Sequence, residues 1–147
     1  ILTSQVIACA YRVHNALGPG FVEKVYHNAM IIALKEIGLD FESEKGYQVC
    51  YNGNNVGDFR ADLVVENKVI VELKSVTGEM NPLFYKQVES YLKAAGLHTG
   101  LIVNFGNVRV KLRRVLLHDG RAPLAPIYGD DDRGADAADE EGEMLGE

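Results

Sequence analysis

Long apolar runs are missing from this sequence of 147 residues. No uninterrupted apolar stretch approaches the roughly 20 residues that a membrane-spanning helix needs, so a membrane protein is not expected. The first residues also lack the basic region and the cleavage site of a signal peptide. We therefore expect a cytoplasmic location, unless a targeting segment ahead of Ile1 has been removed.

Cysteine is scarce, because Cys9 and Cys50 are the only two, and they match neither a metal-ligand spacing nor a disulfide scaffold. Two free thiols in a reducing compartment are expected. The four histidines show no ligand spacing. Motifs of the P-loop, zinc-cluster and serine-nucleophile types are absent as well, so nothing in the sequence supports those classes of enzyme.

The acidic residues are concentrated towards the C-terminal end. The formal net charge of the whole chain is −6. Residues 129–147 hold nine acidic residues and one basic residue, which leaves 12 acidic and 14 basic residues, a net charge of +2, in residues 1–128. A strongly charged segment without aromatic residues is typical of disorder. We predict one domain over 1–128 and a disordered tail over 129–147, which solubilises the protein, mimics nucleic acid or binds a protein partner.

Apolar periodicity and the positions of glycine and proline predict the secondary structure. Helices are predicted at 3–17, 21–37 and 82–95. The inward face of the second helix is predicted to hold Val22, Val25, Ala29, Ile32, Ala33 and Leu34. Strands are predicted at 41–51, 56–65, 68–74, 99–106 and 108–117. This α-α-β-β-β-α-β-β order predicts an α/β fold with a mixed sheet.

The segment VIVELKS, residues 69–75, is the most strand-like of the chain and yet contains two charged residues, Glu72 and Lys74. Burying a charge is costly unless it is paired or binds a metal. Residues two apart in a strand point to the same face, so both charges lie on one side of the sheet. A third charged residue, Asp62, precedes Glu72 by ten positions and lies on the neighbouring predicted strand.

The length of the hairpin loop decides whether Asp62 meets Glu72. A two-residue loop would turn the two side chains to opposite faces of the sheet. A three-residue loop at 66–68 pairs Val65 with Val69 and places Asp62 opposite Glu72. Two carboxylates at that distance repel each other unless they share a cation or a proton. Both registers are compatible with the sequence.

An Asp, a Glu and a Lys around one cation suit the hydrolysis of phosphodiesters. Carboxylate oxygens are the hard ligands that Mg²⁺ and Mn²⁺ prefer, and one or two carboxylates plus waters are typical of Mg²⁺. Such a metal activates water and polarises a phosphoryl oxygen, and a nearby lysine orients the water or stabilises developing charge. The alternative is structural, with a buried Lys74 in a salt bridge to Glu72 or Asp62.

The segment LGPGFVEKVY resembles the signature of the GxxExxY protein family, with Gly20, Glu23 and Tyr26 at the positions that the name requires. The resemblance continues through YNGNNVGDFRADLVVENKVIVELKS, QVESYLKAAGLHTGLIVNFG and RRV, and so extends from residue 3 to about residue 117. This family is grouped with the PD-(D/E)XK nuclease superfamily. The resemblance implies a restriction-endonuclease-like fold, in which helices flank a mixed β-sheet.

The resemblance also implies site residues. Asp62 corresponds to the Asp of the superfamily motif, and Glu72 with Lys74 to its (D/E)-x-K. Glu23 corresponds to an extra carboxylate that related exonuclease-like families supply from a helix. These four residues are the implied catalytic set, and the implied ligands of Mg²⁺ or Mn²⁺ are Asp62, Glu72, Glu23 and the carbonyl of Leu73.

Two positions depart from the family pattern. Ala61 stands where a Pro precedes the Asp in many members of the superfamily, which has little consequence because that position varies. Phe84 stands where many relatives have a His, two residues after Pro82. If that His contacts the substrate in the relatives, this chain lacks the contact.

Five further residues are candidates for contacts with nucleic acid or water. Gln87 corresponds to a Gln that follows the motif in the family, and Tyr91 lies one helical turn further on. Arg109, Lys111 and Arg113 alternate along the predicted last strand, so all three are expected on one face, where they can contact a phosphate backbone. The structural alternatives are a polar helix edge and a charged edge strand that deters pairing.

The sequence therefore predicts a metal-dependent nuclease that acts on DNA or RNA. The second hypothesis is a catalytically silent module that keeps the nuclease fold and binds a partner through its basic face or its acidic tail. The third is a structural subunit of a homo-oligomer. The intact Asp62, Glu72 and Lys74 favour the nuclease, whereas the small net charge of residues 1–128 favours the silent module.

Overall fold

The computed structural model describes residues 1–117, so the predicted tail and the domain boundary at residue 128 lie outside the described residues. Residues 1–117 form three helices and five strands in the predicted order. Their bounds are α1 Leu2–Leu17, α2 Glu23–Glu36, β1 Phe41–Tyr51, β2 Asn54–Val65, β3 Val69–Lys74, α3 Leu83–Ala95, β4 Thr99–Asn104 and β5 Lys111–Leu116. None of these three helices is long and apolar enough to cross a membrane.

The five strands form one mixed sheet and follow one another in chain order from β1 to β5. β3 and β4 are parallel, and the other neighbouring strands are antiparallel. A parallel pair needs a crossover connection, which α3 supplies. The predicted mixed α/β architecture is confirmed.

Apolar residues cover both faces of the sheet. Val71 and Leu73 of β3 pack with the buried residues of α1 and α2, whereas Ile70 packs with the buried face of α3. A strand that is covered on both faces is usually apolar throughout. Glu72 is the exception in β3, because only 5% of it is exposed although it is a carboxylic acid.

The inward face of α2 differs from the predicted one, because Val22 and Ile32 are 70% and 59% exposed. The Tyr26 hydroxyl donates to the carbonyl of Gly18 at 2.6 Å and accepts from the N–H of Phe21 at 3.2 Å. These bonds satisfy its polar end, so a tyrosine occupies a core position that hydropathy assigned to aliphatic residues. The buried residues of α2 are Tyr26, His27, Met30, Ala33 and Leu34.

The last strand is shorter than predicted, because β5 begins at Lys111 and residues 106–109 form a bend. Asn104, at the end of β4, bonds through its side-chain amide to both the N–H and the carbonyl of Val76, each at 3.0 Å. Asn107 does the same with the N–H and carbonyl of Gly78, at 2.7 and 3.1 Å. These bonds tie the bend to the loop after β3, so Arg109 lies outside the strand.

Candidate active site

The β2–β3 hairpin has the three-residue loop that brings Asp62 and Glu72 together. Val65 pairs with Val69, and the paired part of β2 ends at Leu63, next to Asp62. The alternative two-residue loop is wrong. The sheet therefore carries Asp62 and Glu72 to neighbouring positions, at the point where β2 and β3 stop pairing.

Beyond Leu63, carboxylate side chains replace backbone carbonyls as hydrogen-bond acceptors. The N–H of Asp62 donates to Oε2 of Glu72 at 2.8 Å, and the N–H of Leu73 donates to Oδ2 of Asp62 at 2.8 Å. Each acid thus satisfies a backbone donor of the other strand that the ladder no longer pairs. This reciprocal pair is the centre of the candidate site.

β2 changes direction at Asp62. Residues two apart in a regular strand share a face, but Ala61 packs on the α3 side of the sheet and Leu63 packs on the side of α1 and α2. Glu44, in the matching part of β1, has a left-handed backbone with φ of 51°. As a result, the Asp62 side chain borders a pocket at the start of α2.

Burial and charge act together on Glu72. Burial, and then the negative charge of Asp62, raise the pKa of Glu72 to about 8 from the ordinary value of 4.5. The hydrogen bond from the Asp62 N–H and the positive charge of Lys74 lower this pKa without cancelling the shift. Glu72 therefore holds a proton at neutral pH, and a cation brought beside it would displace that proton.

Lys74 does not form the salt bridge of the structural alternative. Among residues 1–117, no salt bridge joins Lys74 to Asp62 or Glu72. The Nζ of Lys74 lies 4.3 Å from the centre of the Phe84 ring, at the start of α3. An ammonium group is attracted to an aromatic face. The ring of Phe84 therefore positions the ammonium group of Lys74.

Glu23 borders the same pocket as Asp62, a cavity of about 210 Å³. Glu23 is the first residue of α2, where the helix dipole favours a carboxylate, and its charge contributes to the raised pKa of Glu72. In the part of the chain that the structure describes, no three His, Cys, Asp or Glu residues form a group able to hold a metal ion. Glu23 thus borders the same pocket as Asp62 without completing a three-carboxylate group. The remaining pocket residues are Lys24, His27, Glu44 and Leu73.

The two polar residues predicted on α3 have different surroundings. Gln87 is exposed. Tyr91 is half-buried, and its ring stacks on that of Phe59 with the ring centres 4.1 Å apart. Burial, and then the charges of Glu72 and Asp62, raise the pKa of the Tyr91 hydroxyl. The Tyr91 hydroxyl is therefore within electrostatic reach of both carboxyl groups, and Gln87 lies at the surface of the same helix.

The predicted row of three cations is not formed. Arg109 lies in the bend before β5, while Lys111 and Arg113 lie in the strand and are half-buried. Nε of Arg113 donates to the hydroxyl of Tyr85 at 2.6 Å, and its guanidinium carbon lies 5.3 Å from the centre of that ring. Arg113 is thus held against α3, and Arg109 lies outside the strand that carries Lys111 and Arg113.

Two residues of the site region were not predicted. His27 lies one helical turn after Glu23, and its Nε2 lies 2.7 Å from Oγ of Ser43; the i, i+4 spacing is the signal that would have found it. The hydroxyl of Ser75, directly after the motif strand, donates to the carbonyl of Phe21 at 2.7 Å. This bond ties the end of β3 to the loop that precedes α2 and Glu23, and no sequence pattern indicated it.

These observations define a class of protein: an α/β fold in which a mixed sheet presents an Asp and a Glu-x-Lys where two strands separate. The sequence matches the family model of the PD-(D/E)XK nuclease superfamily over residues 1–115. The chain belongs to this superfamily. No match was found among curated proteins.

Two solved structures are similar to this chain. The crystal structure of SSO0001 is 16% identical with a TM-score of 0.53, and the match covers 78% of this chain and 57% of that chain. The chain thus spans less than two thirds of that protein, and the likeness shows a shared fold. An alkaline exonuclease, LHK-Exo from Laribacter hongkongensis, is 13% identical with a TM-score of 0.43, over 97% of this chain and 93% of that chain.

Proposed function

We propose that the protein is a metal-dependent nuclease that hydrolyses phosphodiester bonds in DNA or RNA. The proposal is carried by the reciprocal pair of Asp62 and Glu72, in which a buried carboxyl group has its pKa raised by burial and by the neighbouring acid. Membership of the PD-(D/E)XK nuclease superfamily supports it.

The donor set of the pair suits a hard divalent cation. Asp62 and Glu72 each use one oxygen to accept a backbone N–H and keep the other oxygen. Two such oxygens, with a backbone carbonyl such as that of Leu73 and with waters, are a typical ligand set of Mg²⁺ or Mn²⁺. When bound, such an ion supplies a polarised phosphoryl oxygen and a water of lowered pKa.

The chain's own residues then have separate roles. Lys74, positioned by the Phe84 ring, orients the attacking water or stabilises the charge that develops on the phosphate. Glu23, which borders the same pocket as Asp62, accepts hydrogen bonds from water in that pocket. The Tyr91 hydroxyl, whose pKa is raised by burial and by the charges of Glu72 and Asp62, donates a hydrogen bond to a phosphate oxygen.

A second candidate function is a nuclease-fold module that binds nucleic acid without cleaving it. It is favoured by the absence of a three-residue metal group among residues 1–117. The net charge of +2 over residues 1–128 also favours weak binding to a phosphate backbone. The intact Asp62, Glu72 and Lys74 favour the enzyme.

Cleavage assays separate the two candidates. With Mg²⁺ or Mn²⁺, the wild-type protein is expected to cleave single- or double-stranded DNA or RNA, and Glu72→Gln to do so roughly 100-fold more slowly. Glu89→Gln is the matched control, because Glu89 is a buried carboxylic acid of α3 outside the site. Equal cleavage by Glu72→Gln contradicts the proposal. Binding without cleavage by the wild type supports the silent module.

A further inference from the structure

A second cleft lies between β1 and the C-terminal half of α3. Its volume is about 430 Å³, within the range of ligand-binding pockets. None of the residues that line it has a role in the proposed reaction. They are Gln48, Val49, Cys50, Ser90, Lys93 and Ala94.

One wall of this cleft belongs to a two-stranded arm. β2 pairs with β3 only up to Leu63, but it stays paired with β1 out to Asn54. The arm therefore extends past the Asp62–Glu72 pair. The register of the arm shifts between Val49 and Cys50, and such irregularities re-aim side chains. Here the shift lies at the cleft.

Three stacked rings connect α3 to the two-stranded arm. Tyr91 of α3 stacks on Phe59 of β2 at 4.1 Å, and Phe59 stacks on Tyr47 of β1 at 5.3 Å. Tyr91 directly follows Ser90 of one wall, and Tyr47 directly precedes Gln48 of the other. Each wall of the cleft is thus next in sequence to a ring of this stack.

α3 contributes residues both to the surroundings of Lys74 and to the cleft. Phe84, in its first turn, contacts Lys74. Gln87, Ser90 and Lys93 follow at intervals of three residues, and all three are exposed. Residues three apart in an α-helix are turned by about 60°, so these side chains wind around α3 from the side of Phe84 towards the side on which Ser90 and Lys93 line the cleft.

We propose that the cleft binds the single-stranded nucleic acid that adjoins the cleaved phosphodiester; this inference rests on the proposed nuclease function and names its substrate class. Lys93 offers a cation for a phosphate, Ser90 and Gln48 offer hydrogen bonds, and Val49 offers an apolar contact for a base. We expect a cleft of about 430 Å³ to admit an unpaired strand and to be too small for a double helix. One lysine also supplies too little charge to hold a duplex by its backbone.

Cys50 makes this path testable by cross-linking, because it is exposed in the cleft whereas Cys9 is buried. A photoactivatable azidophenacyl group attached to Cys50 is expected to cross-link oligothymidine or oligouridine in metal-free buffer, and to leave a blunt duplex unlabelled. Equal labelling of the duplex, or no labelling of either single strand, would overturn the inference.

A variant of Lys93 provides an independent measurement. Lys93→Gln is expected to weaken binding of the same single strands roughly threefold to tenfold at low salt and to reduce the slope of log K against log salt concentration by about 0.7. Lys68→Gln is the matched control, because Lys68 is exposed in the β2–β3 loop, at the opposite end of β3 from Lys74. Unchanged affinity and slope in a folded Lys93→Gln would overturn the inference.

The inference and the proposed function fail in different ways. If the wild type cleaves nucleic acid with Mg²⁺ but Cys50 gives no cross-link and Lys93→Gln binds normally, the cleft inference alone is wrong. If the unmodified protein neither binds nor cleaves any single or double strand, the proposed function is wrong, and the inference falls with it.

Discussion

At the scale of a single residue, Glu72 belongs to the candidate active site and also affects the stability of the fold. Its pKa is about 8 in the folded protein, against an ordinary value of 4.5. Between these two pH values the folded protein holds a proton that the unfolded chain has released. The contribution of Glu72 to the free energy of unfolding therefore falls as the pH rises through this window, and it is constant outside the window.

We expect Glu72→Gln to remove this pH dependence. One pKa unit corresponds to about 1.4 kcal/mol, so the wild type is expected to lose on the order of 4 kcal/mol relative to the variant as the pH rises through the window. Denaturant unfolding at pH values near the two ends of the window measures the difference. Glu89→Gln controls for the loss of another buried acid. If the free energy of unfolding of Glu72→Gln falls with pH as steeply as that of the wild type, the prediction is wrong.

Single residues of the motif were predictable because a charge in an apolar strand is a strong signal. Asp62, Glu72 and Lys74 stand out in this way, and the resemblance to a known family added Glu23. The ring that positions Lys74 was not predictable as a contact, because Phe84 lies on a separate element and its approach depends on how α3 crosses the sheet.

At the scale of secondary-structure elements, close contacts with the turn after β4 fix the position of the loop after β3. A Cβ atom on Gly106 would lie 2.3 Å from the carbonyl oxygen of Val76 and 2.5 Å from its nitrogen. Only a residue without a side chain therefore allows this approach. Asn104 bonds to the same Val76 backbone. Together these contacts hold the chain that leaves Lys74.

We expect Gly106→Ala to destabilise the protein by on the order of 3 kcal/mol, because backbone atoms must shift to admit the methyl group. Gly46→Ala is the matched control, since no heavy atom lies within 4 Å of a Cβ at Gly46. That variant is expected to change the free energy of unfolding by less than about 1 kcal/mol. Denaturant unfolding compares the two, and equal midpoints contradict the prediction.

Helices and strands were predictable where the spacing of apolar residues and the residue types of the adjoining loops indicate the same boundaries. The odd hairpin loop was one of two registers open to the sequence, and the pairing of Val65 with Val69 decides between them. The face of α2 was predicted wrongly because hydropathy alone does not place a tyrosine in the core. The hydroxyl of Tyr26 is satisfied by backbone groups of the loop that directly precedes α2. The start of β5 was predicted too early. The alternation of apolar and charged residues indicates a strand there, but it cannot show that Asn107 is bonded to Gly78 in a bend.

At the scale of the whole molecule, the acidic segment 129–147 determines the sign of the net charge. A chain that ends at residue 128 has a net charge of +2, against −6 for the full sequence. We expect this shorter chain to bind nucleic acid more tightly at low salt, because the repulsion by nine carboxylates is removed. Fluorescence anisotropy over a salt series measures the difference, which is expected to vanish towards 1 M salt, where the Debye length is about 3 Å.

A charge-neutral tail separates charge from length in this experiment. The full chain with Asn and Gln in place of the nine acidic residues of 129–147 is expected to bind like the shorter chain. Equal affinities of the shorter chain and the wild type at low salt contradict the prediction. A neutral tail that binds like the wild type shows that length, not charge, limits access.

The hydrogen bonds that the Asp62 and Glu72 side chains accept also affect which substitutions such a protein tolerates during evolution. Each acid accepts a backbone N–H from the neighbouring strand, so an apolar replacement leaves a buried donor without a partner. A protein of this fold without any cleavage activity would therefore still be selected to keep both acids. Retention of both acids in a relative is therefore evidence for an intact sheet rather than for enzymatic activity. Replacement by Asn and Gln, which still accept hydrogen bonds but carry no charge, distinguishes the structural role of the acids from a catalytic one.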